Sequence, residues 1–224
     1  EFGNIKKLPL IILNARNIKN ELIWVASILR NYSKELQEFV ILKNKYYEFV
    51  YSSNVEEAEN ILNEIESKFG YSLWLIRSKI YIYKEKYGQK RQQEYVENLV
   101  ENKNYQNDLE LMQILNYSNA MEDNKDYQEH KKSILEIFDN YINIKKNSVL
   151  HTIFRIVPEE ILDVEDLYNL IAQDEIKTII DRYESFIFSL VWSLVNETID
   201  LNTVQKVISI FSLQEEKILR NIEL

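Results

Sequence analysis

Apolar residues recur every three or four positions along most of the chain. Between residues 18 and 32, for example, they lie at Leu22, Val25 and Leu29. This spacing places apolar side chains on one face of an α-helix. The pattern therefore predicts an all-α fold of about a dozen helices joined by short loops. The first of these helices are predicted over residues 18–32, 33–52, 55–69, 71–87 and 89–103.

Some helix ends can be predicted from single residues. Asn54 precedes Glu57 by three positions, a pattern in which Asn caps a helix and the acid supports the cap. Gly70 and Gly88 each follow an apolar period, as glycines at the C-terminal ends of helices do. Asp174 is predicted to cap a later apolar helix.

Composition favours long helices and excludes several kinds of site. The chain has only three Gly and two Pro in 224 residues, so turns are few. It has no Cys, which excludes disulfides and thiolate metal sites and indicates a cytoplasmic location. No Gly-rich nucleotide-binding loop is present. Residues 185–196 form the longest uncharged apolar stretch, which is shorter than the about 20 residues of a membrane-spanning helix, so we expect no membrane segment.

The predicted helices show a period of 34 residues. The helix that begins at Val55 and the helix that begins at Gln89 are separated by this distance, which is the length of a tetratricopeptide repeat. Superposing the two helices aligns Leu62 with Val96 and places Gln92 on Ala58.

Residues 53–58, with the apolar residues that follow them, resemble the second helix of a tetratricopeptide repeat. In that family a small residue, matched here by Ala58, lets a helix pair close up. One unit matches, and the rest of the chain matches only in spacing, because Gln92 stands where the next small residue belongs. The resemblance implies antiparallel helix pairs in a degenerate repeat array, or α-solenoid. An irregular helical array with the same spacing is the alternative.

One face of the helix predicted over residues 71–87 combines cations with aromatic rings. At 100° per residue, Trp74, Arg77, Tyr81 and Lys84 lie on that face. We expect a groove in which the two cations bind a carboxylate or phosphate of a partner and the two rings anchor it. In the alternative, Arg77 stacks on an aromatic ring and pairs with Glu64 or Glu97 of a neighbouring helix, while Lys84 extends to solvent.

Pairs of carboxylates at i, i+3 raise a different possibility, in which Mg²⁺ is bound for phosphohydrolase chemistry. The pairs are Glu56 with Glu59, Glu160 with Asp163, and Asp181 with Glu184. Such pairs are also ordinary on the solvated faces of helices in a chain with 36 acidic residues. The two histidines, His130 and His151, are interpreted as a surface residue and a partly buried residue. We therefore expect no enzyme, no catalytic residue, no metal and no cofactor.

The negative charge belongs to the second half of the chain. Residues 113–224 contain 20 acidic and 11 basic residues, a balance of −9 that equals the net charge of the whole chain. We expect three parts: residues 1–17 as a lead-in, 18–146 as a Tyr-rich helical repeat part, and 147–224 as an acidic helical part. Glu1, Phe2 and Gly3 are typical of a cloning scar, which predicts a fragment of a longer chain.

These features favour a protein–protein interaction or scaffold module of a larger bacterial protein. The partner would be a protein or peptide, the rest of its own chain included. Homo-oligomerisation stays open, and the acidic net charge argues against nucleic acid. Two alternatives remain: an acidic immunity-type or regulatory protein that blocks a basic toxin or effector, and a helical Mg-dependent phosphohydrolase.

Overall fold

A computed structural model of the chain describes residues 17–101, 164, 167, 168, 171 and 178–211. The helices predicted between residues 104 and 158, both histidines, and the carboxylate pair Glu160 and Asp163 lie outside these residues. Regular structure in the described part is helical throughout, without a strand, which confirms the all-α prediction there. Within the described ranges, no helix combines the length and hydrophobicity needed to span a membrane.

The described elements match the predicted helices closely in the first hundred residues. They are α1 (Ile18–Leu29), a 3₁₀ turn (Arg30–Tyr32), α2 (Ser33–Tyr51), α3 (Val55–Phe69), α4 (Leu73–Tyr87), α5 (Gln89–Glu101), α6 (Ile179–Val195) and α7 (Leu201–Phe211).

The predicted caps of α3 and α4 are present, whereas the predicted cap of α6 is wrong. The Asn54 side chain accepts a hydrogen bond from the Glu57 backbone N–H at 3.4 Å. α6 was predicted to be capped by Asp174, but its N-cap is Thr178, whose hydroxyl oxygen accepts from the Asp181 N–H at 3.1 Å. Thr178 also donates to the Asp181 carboxylate at 2.9 Å. The threonine therefore supplies the first-turn hydrogen bond that an acidic cap would otherwise supply.

Gly70 and Gly88 end α3 and α4 in a conformation that side chains disfavour. Gly70 has φ 74° and ψ −165°, and Gly88 has φ 81° and ψ 172°. This region of backbone space is essentially restricted to glycine. Both glycines are therefore required by the backbone, as the sequence predicted.

Gly88→Ala should lower the free energy of unfolding by about 1–2 kcal/mol. A Cβ built at Gly88 meets no atom within 4 Å, so the whole cost is conformational strain. Chemical denaturation followed by circular dichroism measures it. Ala at the exposed position Gln89 is the control, and an equal effect of both substitutions would contradict the strain argument.

The chain divides into two compact units. The terminal unit comprises Glu1–Ile41 and Asn143–Leu224, and the central unit comprises Leu42–Ile142. The boundary lies within α2. Residues 18–41 thus belong to the same unit as the acidic C-terminal part, although the sequence grouped them with the Tyr-rich part.

In the terminal unit, α1 packs against both α6 and α7. Its buried stripe includes Leu22, Val25 and Leu29, and the Phe39 ring meets the Tyr183 ring edge-on at 6.5 Å. α6 also buries three serines four residues apart, Ser185, Ser189 and Ser193, whose hydroxyls have no hydrogen-bond partner in the described part. α6 is therefore covered on a face that is not apolar.

In the central unit, α4 packs between α3 and α5. Its buried residues lie on all sides of the helix and include Trp74, Leu75, Ile80 and Ile82. A helix that is apolar on opposite sides is enclosed by its neighbours. α4 is therefore enclosed by α3 and α5 within the central unit.

Candidate partner-binding surface

Trp74, one of the four predicted site residues, lies inside the central unit and not at its surface. Only 5% of its side chain is exposed. The ring of Tyr46 meets it edge-on at 5.7 Å and the ring of Tyr47 does so at 6.4 Å. The C-terminal part of α2 therefore covers the predicted aromatic face of α4, and Trp74 becomes the floor of that face.

Above this floor, α2 presents a ladder of residues spaced by four: Lys43, Tyr47 and Tyr51. The Tyr47 and Tyr51 rings stack, with centroids 6.3 Å apart and planes inclined by 26°. The Lys43 ammonium lies 5.9 Å from the Tyr47 ring centre and 6.0 Å from that of Trp74. The Tyr51 side chain is 85% exposed. Rings and cation thus support one another at a surface open to solvent.

The other three predicted residues, Arg77, Tyr81 and Lys84, are half-buried on α4. Burial raises the pKa of the buried Tyr46 hydroxyl. Its hydrogen bond with Ser78 opposes this rise, Tyr47 and Tyr81 add to it, and the nearby charge of Arg77 lowers it. Arg77 and Tyr81 thus lie near enough to Tyr46 to act on its charge, and the contacts of Trp74 with the rings of Tyr46 and Tyr47 join α4 to α2.

We call this surface the aromatic–cation face. It consists of Lys43, Tyr47 and Tyr51 on α2 and Arg77 and Tyr81 on α4, above Trp74. Lys84 lies further along the same side of α4. The sequence predicted the α4 half of the face. It missed Lys43, Tyr47 and Tyr51 as site residues, although their i, i+4, i+8 spacing is visible in the sequence.

The opposite side of α4 pairs its lysines with carboxylates of α3. Lys79 donates to Asn63 at 3.0 Å and to Glu66. One step of seven residues further, Lys86 donates to Glu59 at 2.6 Å and also pairs with Glu56. The step runs forward along α4 and backward along α3, so the two helices are antiparallel.

These ion pairs account for much of the basic character of the segment around α4. Residues 71–95 carry six basic and two acidic residues, which gives +4. α3 carries five acidic residues and one lysine, which gives −4. Lys79 and Lys86 are bound to α3, and Arg91 pairs with Glu94 at 2.7 Å. Lys79, Lys86 and Arg91 are therefore held by carboxylates within the unit, and the net charge of +4 overstates the basic character of this segment.

The same contacts bear on the alternative partners and sites that the sequence left open. Glu64, proposed as a partner of Arg77, forms an ion pair with Lys68 at 3.0 Å. Glu56 and Glu59, proposed as magnesium ligands, both bind Lys86. Across the described residues no three acidic or histidine side chains converge as a metal site requires.

Comparison with known proteins finds no matching family model, no similar curated protein and no similar solved structure. The interpretation of the aromatic–cation face therefore depends on its own chemistry.

Proposed function

We propose that this chain is a protein-binding module of a larger bacterial protein and that it contacts its partner through the aromatic–cation face. The observation that carries the proposal is the exposed, stacked Tyr51 beside Tyr47 and Lys43, above a buried tryptophan. Tyr, Trp and Arg dominate the energetics of protein interfaces.

The face has the properties of a pre-ordered binding surface. Tyr47 is held between Tyr51 on one side and the Tyr46–Trp74 pair on the other. A ring that is fixed before binding loses little side-chain entropy when a partner arrives. Tyr also offers an apolar ring and a hydroxyl, which suits a surface that must be wet when free and covered when bound.

The scaffold part of the proposal, a degenerate tetratricopeptide-like array, is supported by burial along α3 and α5. Ala58, Leu62 and Ile65 are buried on α3, and Gln92, Val96 and Leu99, each 34 residues later, are buried on α5. Gln92 is buried although its Nε2 has no hydrogen-bond partner in the described part. The burial of Gln92 is therefore better explained by the packing of α5 than by a hydrogen bond of its side chain.

Tyr47→Ala should reduce partner capture by about tenfold or more, because it removes the ring on which the exposed Tyr51 stacks. A photoreactive phenylalanine at position 51, introduced in cells, gives the measurement. We expect a defined crosslinked product that disappears when Tyr47→Ala is added.

Leu201→Ala is the matched control, because Leu201 is an exposed apolar side chain of the terminal unit. It should leave the crosslink unchanged. No crosslink from position 51, or one that Tyr47→Ala leaves intact, would contradict the proposed function.

A further inference from the structure

We infer that the chain forms a homodimer in which the α2 helices of two copies pack antiparallel through a surface centred on Ile41. This surface, which we call the dimer face, consists of Lys34, Ile41 and Glu48. All three residues are exposed, and 45% of Ile41 is accessible to solvent. The inference does not depend on the proposed function, because Tyr47 and Tyr51 are turned by about 120° and 80° from Ile41 around the helix axis.

The dimer face lies on one side of a single helix. α2 runs without a break over Ser33–Tyr51, and the three residues of the face are spaced by seven. Seven residues make almost two turns, so successive members are turned by only about 20° and lie about 10 Å apart along the axis. An exposed isoleucine therefore stands midway between an exposed cation and an exposed anion.

This order of charges is self-complementary when two copies pack antiparallel. A two-fold axis beside Ile41 brings the residue n positions before it opposite the residue n positions after it, so Lys34 of each copy meets Glu48 of the other. The two isoleucines meet at the axis and remove each other's apolar surface from water. Parallel packing instead sets Lys34 against Lys34 and Glu48 against Glu48, and these like charges disfavour it.

The residues that flank Ile41 fit the same arrangement. Glu38 and Lys45 border the dimer face on one side, three positions before Ile41 and four positions after it. Antiparallel packing brings Glu38 of each copy near Lys45 of the other, so like charges are kept apart there as well. A second copy of the chain is therefore the occupant that the charges of this face favour.

The expected dimer is weak and carries two partner-binding surfaces. One helix face from each copy is smaller than a standard interface, so we expect a dissociation constant of about 100 μM. Tyr51 lies ten residues after Ile41, which places the two Tyr51 residues of the dimer about 30 Å apart along the helix axis. Two aromatic–cation faces in one assembly allow bivalent binding.

The first test uses cysteine, which the chain lacks. Ile41→Cys places one thiol of each copy at the two-fold axis. The full chain should then form a disulfide-linked dimer in a glutathione redox buffer, seen on a non-reducing gel. Leu201→Cys is the matched control, because Leu201 is an apolar residue of α7 that is 68% exposed and lies outside the dimer face. It should remain monomeric.

A charge swap tests the antiparallel register. In sedimentation equilibrium, Lys34→Glu and Glu48→Lys should each raise the dissociation constant by about tenfold or more, because like charges then meet at both ends of the pair. An equimolar mixture of the two variants should dimerise as the original chain does, since the mixed pair has opposite charges at both ends. Recovery on mixing cannot arise from a misfolded protein.

Three results overturn the inference. An original chain that stays monomeric at about 1 mM forms no such dimer. Equal disulfide formation by Ile41→Cys and Leu201→Cys removes Ile41 from the axis. A mixture of the charge variants that dimerises no better than either variant alone excludes the pairing of Lys34 with Glu48. The crosslink from position 51 is measured independently of all three, so the proposed function stands or fails separately.

Discussion

Trp74→Ala should lower the free energy of unfolding of the central unit by about 3–5 kcal/mol, the usual cost of removing a large buried ring. Only 5% of the side chain is exposed, and it contacts two tyrosine rings of α2. The truncation removes these contacts and leaves a cavity between α2 and α4. Urea denaturation followed by far-ultraviolet circular dichroism measures the loss.

Tyr51→Ala is the matched comparison for Trp74→Ala, because it removes a ring from the same cluster at an exposed position. It should change stability by less than about 0.5 kcal/mol. Comparing the stabilities of the two variants thus separates the contribution of the buried Trp74 ring from that of the exposed Tyr51 ring. A Trp74→Ala protein as stable as the Tyr51→Ala protein would show that Trp74 is not a core residue, and the anchor role first expected of it would return.

The helices of the central unit were predictable because local chemistry and packing agree there. Asn54, Gly70 and Gly88 set the ends of α3 and α4 through their own backbone preferences. The start of α4 was predicted two residues early, since its cap, Ser72, lacks the acid that completes a capping box. Asp174 was misjudged for a related reason: Thr178 caps α6 through a hydroxyl, a weaker signal in sequence than an acid.

Only the α4 half of the candidate site could be predicted from the sequence. Periodicity on α4 groups Trp74, Arg77 and Tyr81, because they share one helix face. It does not reveal what covers that face. Placing Tyr46 and Tyr47 against Trp74 requires the packing of α2, which lies about thirty residues earlier in the chain.

The charge pattern shows the same limit. A basic helix in an acidic protein indicates a surface for an anionic partner when its neighbours are unknown. The antiparallel register of α3 and α4 brings Lys79 to Glu66 and Lys86 to Glu59. Ion pairs within the central unit therefore neutralise part of the positive charge of α4. Composition alone cannot separate these lysines from Lys84.

Lys79→Met should lower the free energy of unfolding of the central unit by about 2–4 kcal/mol at neutral pH. The Lys79 side chain is 8% exposed and that of Glu66 is 28% exposed. Removing the cation leaves a largely covered carboxylate without its main partner. Trp74 is the sole tryptophan among residues 42–142, so its fluorescence in a Trp24→Phe, Trp192→Phe background reports this unit.

Lys68→Met is the control, because Lys68 pairs with Glu64 one turn away at an exposed position. Its cost should be about 0.5 kcal/mol or less. Adding Glu66→Leu to Lys79→Met should recover much of the loss, since an apolar pair leaves no buried charge. A Lys79→Met cost equal to that of Lys68→Met would mean that the inner pair contributes no more than a surface pair.

The cost of Lys79→Met should also depend on pH, with a sign set by Glu66. Burial raises the pKa of the Glu66 carboxyl, but the hydrogen bonds from Lys79 and Tyr71 and the charge of Lys79 outweigh burial, so the pKa lies below its ordinary value of 4.5. A depressed carboxyl pKa stabilises the folded state above that value, and the stabilisation is lost as pH falls. The difference between the original chain and Lys79→Met should therefore be full at pH 7 and narrow below about pH 4.5, as Glu66 becomes protonated. Denaturation curves at pH 7, 5 and 3 measure it, and a difference that stays constant or widens on acidification would remove Glu66 as the partner whose charge Lys79 stabilises.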